Sequence, residues 1–150
     1  MKKMNNKGFS LVELIVVVLI MAIIAVALAP QVMKWVENSR KSTDIENYNA
    51  LIEAANVAST NEKVIATVTD SNSILIQMTS NDTNSTTITG GTDSASAFKT
   101  MMTETLPNWD KTKITSGDWK GSTFNISITK AAGKGIKVEK GSCYPTKDFE

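Results

Sequence analysis

Apolar residues are spread very unevenly along this chain. From Phe9 to Ala29, 19 of 21 positions are apolar, interrupted only by Ser10 and Glu13. At about 1.5 Å per residue, a helix of this length spans roughly 31 Å, the thickness of a bilayer's hydrocarbon core. The run carries no polar stripe, which separates it from a helix lying on a membrane surface. It predicts a membrane-spanning helix. Ahead of it stand Lys2, Lys3 and Lys7 with no acidic residue. Lysines on that side hold the N-terminus in the cytoplasm and send the remainder across. Ala27 and Ala29 form an A-x-A pattern like that of a cleaved signal peptide. The run is longer than a usual signal-peptide core, however, encloses a carboxylate, and is followed by Pro30.

Beyond Pro30 the pattern becomes amphipathic. Ile45, Tyr48, Ile52 and Ala55 follow helical spacing. Glu37, Arg40, Lys41, Asp44, Glu46 and Glu53 read as a solvated face, with ion pairs between copies of the chain as the sharper reading. One long helix over roughly 9–60 results. Pro30 lacks an N–H and predicts a kink or local melting, and weak periodicity across 37–44 leaves room for a second kink.

The remainder reads as a small head rich in strands. Val64–Val68 and Ile74–Met78 are β-branched runs separated by the turn signal Asp70-Ser71-Asn72-Ser73. Thr79–Thr92 has ten Ser, Thr or Asn residues in fourteen and reads as a loop or weak strand. Ser94–Leu106 predicts a short helix stopped by Pro107. Phe124–Thr129 and Ile136–Glu139 alternate cleanly about Gly133-Lys134-Gly135, which predicts a hairpin with its apolar side toward the helix. The fold class is therefore α+β: a long N-terminal helix, transmembrane below and amphipathic above, packed on a small antiparallel sheet.

Composition now removes whole classes of chemistry. The chain has no histidine and one cysteine, Cys143. Imidazole catalysis, histidine metal ligation and an internal disulfide are all excluded. A net charge of +1 argues against a polybasic nucleic-acid binder. The head holds no phosphate-cradling glycine loop and no nucleophile–base pair, so the chain reads as a non-enzyme that needs no cofactor or resident metal. Asp82 and Asp93 read as turn polars rather than a calcium loop. Trp109 and Trp119 stand near Lys111 and Lys120. Exposed, they would form a ligand patch stacking on nucleic acid or glycan; buried, they are core. Asn81, Asn84 and Asn125 open N-glycosylation sequons.

Glu13 is the anomaly in the apolar run. A carboxylate near the bilayer centre costs about 2.5 kcal/mol or more and marks function by default, although snorkelling relieves this near a helix end. With the basic leader ending in Gly8, followed by Phe9-Ser10-Leu11-Val12-Glu13-Leu14-Ile15, the N-terminal third resembles the processing site of type IV pilins. Type II secretion pseudopilins and competence pilins share this signature. The resemblance implies that a prepilin peptidase cuts after Gly8 and that the new amine of Phe9 is methylated. It places Glu13 at mature position five, paired with the Phe9 amine of a neighbouring copy, and Pro30 at a helix bend. A buried pair of that kind enforces register, because removing one partner costs about 3–5 kcal/mol.

The same resemblance implies a division into a removed leader (1–8), a transmembrane and filament-core helix (9–29), its amphipathic continuation (30–60) and a globular head (61–150). It implies a structural subunit, read as the main one, that forms a homo-polymer serving surface motility, adhesion or biofilm formation. The implied partners are the prepilin peptidase, a pilus assembly ATPase and platform protein, the membrane before assembly, and minor pilins. Localisation follows: a single-pass precursor in the cytoplasmic membrane, then an extracellular bacterial filament. Cys143 departs from the disulfide-closed C-terminal loop of many Gram-negative pilins and points to a Gram-positive or otherwise atypical pilin. The alternatives are a pseudopilin, a minor or competence pilin, or, from another class, a membrane-tethered extracytoplasmic binding domain that never polymerises. Removing the leader leaves 13 basic against 15 acidic residues, so the near-neutral average conceals a slightly acidic mature chain.

Overall fold

The computed structural model describes residues 8–69, 72–81, 85–131, 134–141 and 145. The leader lysines, the Asp70-Ser71 half of the expected turn, Asp82, Asn84, Gly133 and Cys143 lie outside them. The element order is α1 (Leu11–Ser59), α2 (Glu62–Thr67), β1 (Ile74–Thr79), β2 (Thr86–Thr89), α3 (Thr92–Thr105), a one-turn 3₁₀ helix (Trp109–Lys111), β3 (Thr123–Ala131) and β4 (Lys134–Lys140). The chain divides into two compact units, Met1–Val36 and Glu37–Glu150.

In the first unit, α1 begins at Leu11 and every position from there to Val36 is exposed. Helical structure continues through Pro30. The local melting expected there does not occur: proline removes one N–H, and the surrounding Val, Ile, Leu and Ala residues keep the remaining ladder intact. No break occurs across 37–44 either.

The second unit is the head, an α+β arrangement. Its sheet has the order β2-β1-β3-β4, all antiparallel. In β1, Ile74, Ile76 and Met78 point inward, matched across the ladder by Ile128, Ile126 and Phe124 of β3. The alternate residues Leu75, Gln77, Asn125 and Ser127 are half-exposed, the period-two signature of a sheet covered on one face. The covered face meets Tyr48, Leu51, Ala55 and Ala58 of α1 and Phe98 and Met102 of α3 in one apolar cluster. Leu51 is fully buried in it, and Ile52, expected there from spacing, packs at its margin. Tyr48 and Phe124 meet edge to face at 6.0 Å between ring centroids.

Two readings depart from the sequence expectation, and a third is settled between its two alternatives, loop or weak strand. The run read as a strand over Val64–Val68 is helical, α2, with Val64 and Val68 buried. Asn61 decides it: its side chain accepts a hydrogen bond from Lys63 N at 3.0 Å and starts the helix. The polar Thr79–Thr92 stretch does contain a strand, β2, whose buried Thr86 donates from its hydroxyl to Thr112 O. Finally, Asp44 and Glu37 do not belong to a solvated face, as described below. The short helix ending before Pro107 and the β3–β4 pair follow expectation.

Candidate functional site

The N-terminal site is assembled from adjacent residues. Gly8, Phe9 and Ser10 precede the helix in non-helical, exposed conformation, and Phe9 is 92% exposed. The Gly8–Phe9 peptide bond thus stands outside the hydrogen-bond ladder of α1, where a peptidase can bind the backbone in extended form.

Glu13 turns back on this segment. Its Oε2 accepts a hydrogen bond from Ser10 N at 2.9 Å, while Ser10 O accepts from Leu14 N at 3.2 Å. Ser10 therefore occupies the cap position of α1, and Glu13, three residues on, satisfies a backbone donor that the helix cannot. A carboxylate in the first turn is also favoured by the helix dipole. This capping role was missed in the sequence reading, although Ser-x-x-Glu before an apolar run is its written sign. Over the apolar part of α1, an 18-residue window reaches a mean hydropathy of 3.2 with none of it buried. The helix is long and apolar enough to cross a membrane.

In the head, the four residues of the alternative ligand-patch reading each have their own partners. Trp109 packs at the core margin and donates from Nε1 to Thr103 Oγ1 at 3.1 Å. Lys111 is exposed and donates to Asn108 Oδ1 at 3.3 Å. Trp119 packs edge to face on Phe124 at 5.4 Å, and the cation beside it is Lys41, 5.9 Å from its ring centroid. Lys120 instead lines a cleft with Arg40 and Lys113. Asn81 is exposed, whereas the Asn125 side chain accepts from Gln77 Nε2 at 3.3 Å within the sheet. Asp93 is exposed in the first turn of α3.

A polar seam that the sequence did not reveal runs along one side of α1 in the head. Asp44 is fully buried, and its carboxylate accepts from Thr115 N, Thr115 Oγ1 and Ser116 N at 2.7–3.0 Å. Glu37 accepts from Ser116 Oγ at 2.5 Å and Asp118 N at 3.1 Å. These bonds, the Ser116 hydroxyl foremost, hold the Glu37 carboxyl below the usual carboxylate range. Lys41 pairs with Asp118 at 2.6 Å. Tyr48 completes the seam by donating its hydroxyl to Asn125 O at 2.8 Å. Their positions, 37, 41, 44 and 48, do fall on one helix face; the partners 71 or more residues away carry no local sign.

Comparison with known families places residues 3–29 in a match to the Prokaryotic N-terminal methylation motif. The match includes Gly8, Phe9, Glu13 and the apolar run up to Ala29. It supports a precursor of the type IV pilin or pseudopilin class and a substrate context for prepilin peptidase; the family that carries this motif is structural rather than enzymatic. No curated protein and no solved structure matches the chain.

Proposed function

We propose that this chain is a structural subunit, the main one, of an extracellular type IV pilus. A prepilin peptidase cuts it between Gly8 and Phe9, removing leader 1–8, and the Phe9 amine is methylated. Residues 9–29 then pass from bilayer to filament core, 30–60 continue the helix, and 61–150 form the displayed head. The observation that carries this reading is the exposed Gly8–Phe9 bond, followed at once by a capped, wholly exposed apolar helix with Glu13 in its first turn.

The chemistry is that of assembly. Lipid shields α1's apolar surface before extraction, and neighbouring copies shield it afterwards, so the transfer exposes little of it to water. Cleavage creates a cation at Phe9, one residue before the amide that Glu13 holds in the precursor. Glu13 can then exchange a backbone N–H for a neighbour's amine, a charge-assisted bond. Pro30 leaves one carbonyl of the ladder without its N–H donor, a point at which the helix can adapt to its neighbours. Extraction and polymerisation are supplied by the platform protein and the assembly ATPase, and motility, adhesion or biofilm formation follow from the machine.

Mass spectrometry of the chain from its native cells tests this. Loss of Met1–Gly8 with a methylated Phe9 is expected, and an intact N-terminus overturns the reading in favour of a tethered, non-polymerising domain. Sheared surface filaments composed mostly of this chain are expected of the main subunit; a trace content assigns it instead to the minor pilins or pseudopilins.

A further inference from the structure

Met78, Met101 and Met102 are the methionines of the head, and they sit differently. Met78 and Met102 are fully buried in the apolar cluster, whereas Met101 packs at its margin. Met101 also lines a cleft of about 250 Å³, whose other walls come from the start of α2 (Asn61, Lys63) and from α3 (Ala97, Thr100, Glu104). Its sulfur accepts a hydrogen bond from Asn61 Nδ2 at 3.3 Å. The other end of that amide is fixed, because Asn61 Oδ1 accepts from Lys63 N at 3.0 Å as the cap of α2. A strong amide donor is thus spent on a thioether, which is a weak acceptor. A sulfoxide oxygen at the same place would be a far better match. In a closed core, sulfoxide formation sets a polar atom among apolar ones and disrupts packing. At Met101 the new oxygen meets an open cleft and a donor already in position.

We propose that Met101 is an oxidation site of the head, where a peroxide converts the thioether to a sulfoxide whose oxygen the Asn61 amide then holds. A sulfur lone pair attacks one peroxide oxygen, and the S–O bond forms as the O–O bond breaks. The departing hydroxide takes the proton left on the transferred oxygen and leaves as water. Sulfur is oxidised by one electron pair, and the peroxide is reduced by the same pair. The Asn61 amide engages one lone pair of the sulfur and leaves the other for the oxidant. The site needs only the folded head and is independent of whether the chain polymerises. It lets the head take up oxidant at its margin while Met78 and Met102 stay reduced inside.

The test exposes the full-length chain, held in neutral maltoside micelles, to dilute hydrogen peroxide. Fragment-ion mass spectrometry separates Met101 from its neighbour Met102. In the folded chain, sulfoxide is expected to form at Met101 at least about tenfold faster than at Met78 or Met102, and in urea at similar rates at all of them. Equal rates in the folded chain overturn the proposal. The urea midpoint then reports whether the sulfoxide is held. Oxidation is expected to leave that midpoint unmoved, measured against an equally treated Met101→Leu chain that controls for oxidation elsewhere. Asn61→Asp keeps the cap of α2 but replaces the amide donor with a carboxylate oxygen, so oxidation should lower the midpoint of that variant. A midpoint lowered in the unsubstituted chain overturns the proposal, as does one unmoved in Asn61→Asp. The rate comparison needs no substituted chain, so it decides the matter even where Asn61→Asp fails to fold.

Discussion

Asp44 on α1 and Thr115 on the loop before β3 are 71 residues apart in the chain, yet one carboxylate takes both the backbone and the hydroxyl hydrogens of that threonine. Asp44 is completely buried and also accepts from Ser116 N. Its charge is compensated by donors rather than by a cation, which makes the loop's conformation and the helix's position mutually dependent.

Asp44→Ala leaves two loop amides and a hydroxyl without their acceptor inside the protein. A loss of about 3 kcal/mol is expected, since hydrogen bonds to charged groups are worth about 1.5–3 kcal/mol and their orphaned partners add a desolvation penalty. Urea unfolding of the full chain in neutral detergent measures it. A change below about 0.5 kcal/mol would remove Asp44 from the role of loop anchor.

Glu37 makes the seam pH-dependent. Its carboxyl is held below the usual range by Ser116 Oγ and Asp118 N, so the folded state binds the proton less readily than the unfolded chain does. The resulting stability is fully present above the ordinary carboxylate pKa and disappears as pH falls through the lowered, folded value. Glu37→Gln should therefore be less stable than wild type at pH 7 and should lose less on acidification to pH 3. Parallel acid profiles for the two proteins would contradict this.

Glu13→Ala is expected to leave membrane insertion intact and to reduce filament yield on the order of a hundredfold. That factor follows from the roughly 3 kcal/mol lower limit for depriving a buried charge of its partner. Counting sheared filaments from cells in which the variant is the sole subunit checks it. Normal filaments would limit Glu13 to capping α1 through Ser10.

Asn61→Ala removes the cap that starts α2 and a contact from Nδ2 to Met101 Sδ at 3.3 Å. About 1 kcal/mol of destabilisation is expected, readable as a lowered urea midpoint with unchanged slope. A substitution without effect would mean that burial of Val64 and Val68 alone holds this turn as helix.

The α2 case explains why part of the head was misread. Val64, Ile65 and Val68 favour strand by β-branching, a weak preference that capping and burial override. Strands β1 and β3 were legible because alternation in Ile74–Met78 and Phe124–Thr129 records which face is buried, and that face remains buried whatever the strand order. Order itself, with β1 beside β3 and β2 at the edge, depends on how the chain returns through α3. The four head residues singled out as a ligand patch show the same limit. Adjacency of Trp119 and Lys120 in sequence points them to different neighbours, Trp119 to Phe124 and Lys41, Lys120 to the cationic cleft.

The apolar run, the long helix, the Gly8–Phe9–Glu13 spacing and the half-buried character of the strands can be read from residue order alone. Those properties are periodic or contiguous, and solvent sorts them without reference to distant residues. That Glu37 and Asp44 face a loop rather than water, and that Arg40 lines a cleft with Lys113 and Lys120, depends on long-range packing. A charged side chain tolerates burial or exposure according to the donors brought to it. Those donors come from a segment some 70 to 80 residues further along the chain.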